Sequence, residues 1–159
     1  MADRSRRLNT NVLVRPARAD EMKALGALQL RASLAYGDLR EELLGLPEAG
    51  IVPDDQLPHA IVAEIDGRIA GFAVVLPRED GGAELDGLFV EPKLWRTGLG
   101  KCLVEASFEL ARDRGAPFMN VIANRRALGF YDACGFEIVG ETMTLFEPAP
   151  VMRIALAQL

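Results

Sequence analysis

The chain predicts a mixed α/β fold. Three observations carry that reading. Short β-branched runs alternate with segments of helical periodicity along the 159 residues. Two turn signals, Asp66-Gly67 and Asp80-Gly81-Gly82, join neighbouring strands. A strand ending at Glu91-Pro92 runs through a glycine-rich turn into a long helix. The order is β-α-α-β-β-β-α-β-α-β-β, a mixed central sheet flanked by helices. One domain over residues 11–159 is expected, after a flexible tail at 1–10.

Asn11 to Arg18 is a β-branched run and reads as the first strand. Asp20 is a good N-cap, and Met22, Leu25, Leu28 and Ala32 mark the apolar stripe of the helix after it. A short helix follows over Asp38 to Leu46, and Pro47 to Pro58 is a loop rich in proline, aspartate and glycine. Ala60 to Ile65 and Arg68 to Leu76 form a hairpin, with Asp66-Gly67 as its two positive-φ residues. Ala83 to Val90 is a strand. The long helix runs from about Gly98 to Arg114, with Leu99, Leu103, Ala106 and Leu110 on one face. Arg112 and Arg114 complement its C-terminal dipole, and Gly115 and Pro117 stop it. Phe118 to Ala123, Phe136 to Glu141 and Val151 to Leu156 are strands, and Asn124 to Cys134 is a helix.

Half the residues are apolar and 26% are charged, the balance of a globular protein. The net charge of −5 argues against a general nucleic-acid binder, which would carry a basic face. No apolar run approaches the length that crosses a bilayer. Arg4, Arg6 and Arg7 precede no apolar stretch of signal-peptide type, so a cytoplasmic location is expected. Cys102 and Cys134 fit no metal spacing and read as reduced thiols, and no metal is expected. The single histidine, His59, reads as a surface or edge residue.

The segment Trp95-Arg96-Thr97-Gly98-Leu99-Gly100-Lys101 carries chemistry. A helix N-terminus leaves N–H groups unpaired and partly positive, a seat for phosphate. Gly98 and Gly100 let a bulky pyrophosphate approach the backbone, and Arg96 and Lys101 add charge. Rival motifs fit worse. A Walker A loop needs Ser or Thr after its lysine, where Cys102 stands; a dinucleotide fingerprint needs a third glycine, where Leu103 stands. Read alone, the segment is also a glycine-tolerant loop before a helix. The second segment is Asn124-Arg125-Arg126-Ala127-Leu128-Gly129-Phe130-Tyr131-Asp132-Ala133-Cys134-Gly135-Phe136. Taken by itself, Tyr131 would be a packing aromatic on an amphipathic helix.

Together, and in this order, the two segments resemble the cofactor-binding motifs of the GNAT superfamily of acetyl-CoA-dependent N-acetyltransferases. The resemblance covers nearly the whole chain. It implies that Arg96, Thr97, Gly98, Leu99, Gly100 and Lys101 hold the pyrophosphate of coenzyme A. It implies that backbone groups of Leu88, Phe89 and Val90 hold the acetyl carbonyl and the pantetheine amides, with Gly87 at the bulge that splays the strand. By position, Tyr131 matches the general acid that protonates the departing thiolate. Asn124 matches the asparagine that caps the helix and touches the pantetheine arm. Ala127 and Phe130 match packing positions. This chain has Trp95 where the family usually has Arg or Gln, and Arg96 where glycine is frequent.

The acceptor amine is mostly protonated at neutral pH, so a base is needed. Glu84 is the first candidate and Asp86 the second, two residues apart on one strand face. A salt-bridged strand face would use the same residues. Tyr36, Asp38, Glu41, Glu42, Met143, Leu145 and Phe146 fall where this fold meets its acceptor, although Glu41 and Glu42 equally suit the wet face of a helix. The function expected is acetyl transfer from acetyl-CoA to a primary amine by direct attack in a ternary complex. A small-molecule amine is the first expectation for the acceptor, with a polyamine, aminoglycoside, amino acid, other small amine or protein amine all open, and no nucleic acid or membrane partner is expected. A homodimer through a sheet edge or the last strand fits the same pattern. The alternative is a non-catalytic acyl-CoA-binding or protein-interaction module on the same fold.

Overall fold

Asp66 and Gly67 both take positive φ, 51° and 78°, and close the antiparallel hairpin of β2 (Ala60–Ile65) and β3 (Arg68–Pro77). The sequence thus sets this register directly, because L-residues other than Asn and Asp rarely enter that region. A computed structural model describes residues 11–37 and 39–156. The tail at 1–10 and Asp38 lie outside the described residues. The remaining strands are β1 (Val12–Pro16), β4 (Ala83–Val90), β5 (Phe118–Ile122), β6 (Glu137–Met143) and β7 (Pro148–Ala155). They form one seven-stranded sheet in the order β1-β2-β3-β4-β5-β7-β6. The α-helices are α1 (Met22–Ala35), α2 (Arg40–Leu44), α3 (Leu99–Asp113) and α4 (Leu128–Ala133). The mixed α/β reading and its element order hold.

The chain divides into two compact units. One comprises the residues up to Val74 with Gly87–Ala106; the other comprises Val75–Asp86 with the residues from Ser107 onward. In the first, β1 pairs antiparallel with β2. Leu25, Leu28 and Ala32 of α1 are buried, as the stripe predicts. Asp20 is not the cap. It sits in a 3-10 turn, Ala19–Glu21, and the capping carboxylate is Glu21. Glu21 accepts from the Arg18 backbone N–H at 2.8 Å and from Arg15 at 2.6 Å. Arg15 also reaches Glu64 of β2 at 3.0 Å, so a strand-to-strand ion pair chose the cap. The second helix is shorter than expected, and Leu39 before it takes a positive φ of 55°. The expected loop at 47–58 contains two 3-10 segments, Pro47–Gly50 and Asp54–His59; His59 is half-buried.

In the second unit, β4 runs parallel to β5, with Ala83, Glu84 and Leu85 opposite Met119, Asn120 and Val121. β7 pairs with β5 on one side and with β6 on the other. The last strand is therefore interior, and β6, like β1 at the other end, is a sheet edge. The buried residues of α3 include Leu99, Leu103 and Val104, which belong to the first unit, and Ser107, Phe108 and Ala111, which belong to the second; Ala106 and Leu110 are only half-buried. Gly115, at φ 83°, ends this helix as expected.

Gly26 of α1 lies against the Pro47–Gly50 turn, and a Cβ there would overlap the Gly50 carbonyl. Backbone cannot yield as a side-chain tip can. Gly26→Ala is expected to destabilise the protein by about 2 kcal/mol, the usual scale of overpacking, despite alanine's better helix propensity. A lowered urea midpoint at unchanged slope checks this.

Candidate active site

The glycine turn belongs to the first unit. After β4, Pro92–Leu94 makes a 3-10 turn, and the Trp95 backbone N–H donates to the Pro92 carbonyl at 3.1 Å. The Trp95 indole N–H donates to the Val90 carbonyl at 2.9 Å. Its ring packs against Tyr36, centroids 5.0 Å apart. The Thr97 hydroxyl donates to the Leu94 carbonyl at 2.6 Å. Trp95 therefore ties the turn to the strand and to the end of α1, where an arginine would have offered a guanidinium.

Arg96 and Gly98 both take positive φ, 67° and 93°. The second value suits glycine, whereas the first is a strained conformation for arginine that the surrounding turn enforces. The first helical bond of α3 runs from the Cys102 N–H to the Gly98 carbonyl at 3.0 Å. The N–H groups of Leu99, Gly100 and Lys101 precede it and have no acceptor within the helix. A 15-residue helix adds its dipole to that end. Arg96 and Lys101 are exposed, so their charges can reach an anion at the turn. The Leu99 side chain is buried and offers only its backbone. This donor set fits a pyrophosphate: three backbone N–H groups and two exposed cations.

Leu88 and Phe89 are half-buried and Val90 is buried. One lone pair of the Val90 carbonyl is already used by Trp95. A Cβ on Gly87 would come within 2.9 Å of the Phe89 ring, which explains a glycine there. A Cβ on Gly71 of β3 would come within 2.9 Å of the Phe89 carbonyl, so β3 must also be bare at that point.

The second unit holds Asn124, Tyr131, Glu84 and Asp86. Asn124 caps the chain as expected, its side-chain oxygen accepting from the Arg126 N–H at 2.8 Å. The helix it opens begins as a 3-10 turn, Arg125–Ala127, before α4. Tyr131 is buried, 7% exposed, with its ring edge-on to Phe136 at 5.5 Å and to Phe130 at 5.1 Å. Gly135, at φ 104°, turns the chain so that the Phe136 N–H bonds the Tyr131 carbonyl at 3.0 Å. The aromatic packing restricts the phenol's orientation and excludes water from most of it.

Glu84 is half-buried and Asp86 exposed, alternating with buried Ala83, Leu85 and Gly87, so both carboxylates share a face. Glu84 accepts from Arg78 at 2.6 Å. Burial pushes its carboxyl above the ordinary range, opposed by that hydrogen bond. Arg78 was not foreseen as a partner. It also holds Asp80 at 3.1 Å, whose carboxyl is kept low mainly by Arg78. Both follow from the hairpin that folds residues 78–84 back on themselves, a pairing no local pattern announces.

Of the acceptor-side residues, Tyr36 is half-buried beside Trp95, and burial raises its phenol. Glu41 and Glu42 are exposed on α2. Met143, Leu145 and Phe146 are exposed, 71%, 78% and 37%. Asp38 lies outside the described residues. Among the described residues, no group of three His, Cys, Asp or Glu is arranged to hold a metal ion. No described helix is long and apolar enough to cross a membrane.

The model of the acetyltransferase (GNAT) family matches residues 28–136. The peptidyl-lysine N-acetyltransferase YjaB of Escherichia coli (strain K12) is 32% identical over 151 residues, covering 91% of this chain and 96% of its own. A GCN5-related N-acetyltransferase of Rhodopseudomonas palustris shares the fold at a TM-score of 0.78 and 20% identity, covering 92% of this chain and 97% of its own. The PaiA N-acetyltransferase of Thermoplasma acidophilum, solved in complex with coenzyme A, superposes at a TM-score of 0.69 and 14% identity, covering 91% and 99%. A glycine turn built for an anion, a capped Asn-to-Phe segment and a family model spanning both lead to one assignment: the chain belongs to the GNAT acetyltransferase family and is an N-acetyltransferase-type acyltransferase.

Proposed function

We propose that the protein transfers an acetyl group from acetyl-CoA to the primary amine of a small molecule, by direct attack in a ternary complex, with both units acting as one acetyltransferase domain in the cytoplasm. The observation that supports it most is the αL pair Arg96 and Gly98, which opens α3 with its first N–H groups free for pyrophosphate. Acetyl-CoA supplies the activated thioester. Gly98, Leu99, Gly100 and Lys101 bind through the helix end, and Arg96 adds its guanidinium. Backbone groups of Leu88 and Phe89 align the acyl arm, and Asn124, which caps its own segment, contacts the pantetheine arm. Tyr131 holds the proton for the departing sulfur, its ring oriented by Phe130 and Phe136. Glu84, and after it Asp86, take the proton from the amine. The homodimer expected from the sequence would use β6, which exposes Ile138 at 61% and Val139 at 55%.

A second reading has an observation of its own. The relative YjaB is a peptidyl-lysine N-acetyltransferase, and a protein lysine offers the same amine as a small molecule. A panel containing free amines and lysine peptides, followed by thiol release, separates the two. Absence of product with every amine would leave the acyl-CoA-binding module.

Tyr131→Phe is expected to lower kcat at least tenfold, within the usual range for general acid–base groups, while KM for acetyl-CoA changes little. Wild-type turnover in this variant would remove Tyr131 from the mechanism. Glu84 accepts a proton only when ionised, so kcat/KM should fall as pH drops through a value above the ordinary carboxylate range. Glu84→Gln should lower kcat/KM and abolish that acidic limb. An unchanged profile would pass the role to Asp86.

A further inference from the structure

Arg153 has no part in the sites described so far. It lies on β7, and its backbone register opposes Asn120 of β5. Asn120 in turn opposes Glu84 of β4. Directly opposed residues share a face, so Glu84, Asn120 and Arg153 form one polar row across three strands. Strands in a ladder lie about 4.8 Å apart, which sets Glu84 and Arg153 about 10 Å apart along the row.

The guanidinium is held from two sides. Its Nε donates to the Asn120 side-chain oxygen at 2.7 Å, and Asn120 is only 3% exposed. Its planar carbon lies 4.0 Å from the centroid of the Phe118 ring, within the range of a cation–π contact. Phe118 is fixed in turn, because a Cβ on Gly82 would overlap its ring. The arginine is half-buried and oriented before any ligand arrives.

Among the described residues no carboxylate lies within ion-pair distance of it, although its charge helps, after Arg78, to hold the Asp80 carboxyl low. Arg15, Arg31 and Arg78 each meet a carboxylate at 2.6, 2.5 and 2.6 Å. Among the described residues Arg153 meets none, and its only hydrogen bond is to an amide oxygen. Asp80 is committed to Arg78 and to the Gly82 N–H. Glu137, opposite Arg153 on β6, is exposed and forms no ion pair with it. The outer nitrogens, Nη1 and Nη2, therefore remain as a two-pronged donor that matches a carboxylate.

We propose that Arg153 binds a carboxylate on the acceptor, so that the acceptor is an amino acid whose amine and carboxylate stand several bonds apart. The proposal rests on the acetyltransferase reading given above. The row is bipolar: the amine lies toward Glu84 and Asp86, and the carboxylate toward Arg153. A half-buried, preoriented guanidinium discriminates between a carboxylate and the neutral amide of the same shape, because the carboxylate makes charge-assisted hydrogen bonds that the amide cannot.

The test uses 6-aminohexanoate and 6-aminohexanamide, which differ only at the end that Arg153 would hold. Thiol release from acetyl-CoA gives kcat/KM, and the melting temperature with each amine reports binding independently. The wild type should prefer the carboxylate at least tenfold, chiefly in KM. Arg153→Met, which keeps an apolar stem on Phe118, should abolish the preference while changing the amide's kcat/KM less than twofold. Arg153→Lys keeps the charge without the fork and should retain part of the preference; it carries the test should Arg153→Met melt at a much lower temperature. Equal use of both amines by the wild type, or a preference that survives Arg153→Met, would overturn the carboxylate site and leave the acetyltransferase reading intact. Carboxylate-dependent melting shifts without thiol release would support the site, and the wider amine panel then decides the transfer reading. The absence of both thiol release and a carboxylate-dependent shift would overturn the carboxylate site.

Discussion

The backbone at Arg96 and Gly98 is the constraint on which the candidate site depends. Two left-handed residues within three positions stop the run out of β4 and start α3 with its N–H groups exposed. Without that reversal the helix would begin elsewhere, and no cluster of unpaired donors would face an anion. Gly98 takes the conformation at little steric penalty, and Arg96 takes it at some expense. Trp95 offsets that expense. Its indole bond to the Val90 carbonyl and its ring contact with Tyr36 fix the turn from both ends. Trp95 thus acts in the turn as an anchor, and Arg96 beside it is exposed.

The second unit applies a similar logic to Tyr131. The phenol is fixed by edge contacts to Phe130 and Phe136, and the positive φ of Gly135 brings Phe136 back beneath the helix. The polar row of Glu84, Asn120 and Arg153 sits on strands that are otherwise apolar at their centre. Burial of Asn120 is tolerable because its oxygen meets Arg153. These arrangements orient groups before a ligand is present, which is where such sites derive much of their effect.

Much of this was legible in the sequence because it was local. The Asp-Gly hairpin, the glycine-led helix start, the Asn124 cap and the Gly135-Phe136 turn are each encoded within a few residues. What stayed hidden was fixed by partners distant in the chain. Glu21 rather than Asp20 caps the entry to α1 because Arg15 and Glu64 meet across two strands. The interior place of β7 follows from sheet order, which periodicity does not report. Arg78 and Arg153 drew no reading from the sequence, since a lone arginine carries no sign of the carboxylate or asparagine that will face it. The shift of Trp95 from ligand position to anchor was visible only once its indole had an acceptor.

The most direct measurement is the melting temperature with acetyl-CoA, set beside ATP and NADPH. A ligand at a hundred times its Kd stabilises the folded state by about 2.7 kcal/mol. A clear rise with acetyl-CoA, absent with the other two nucleotides, is the predicted result. No rise, or an equal rise with all three, would contradict a turn built around Arg96 and Gly98 for coenzyme A.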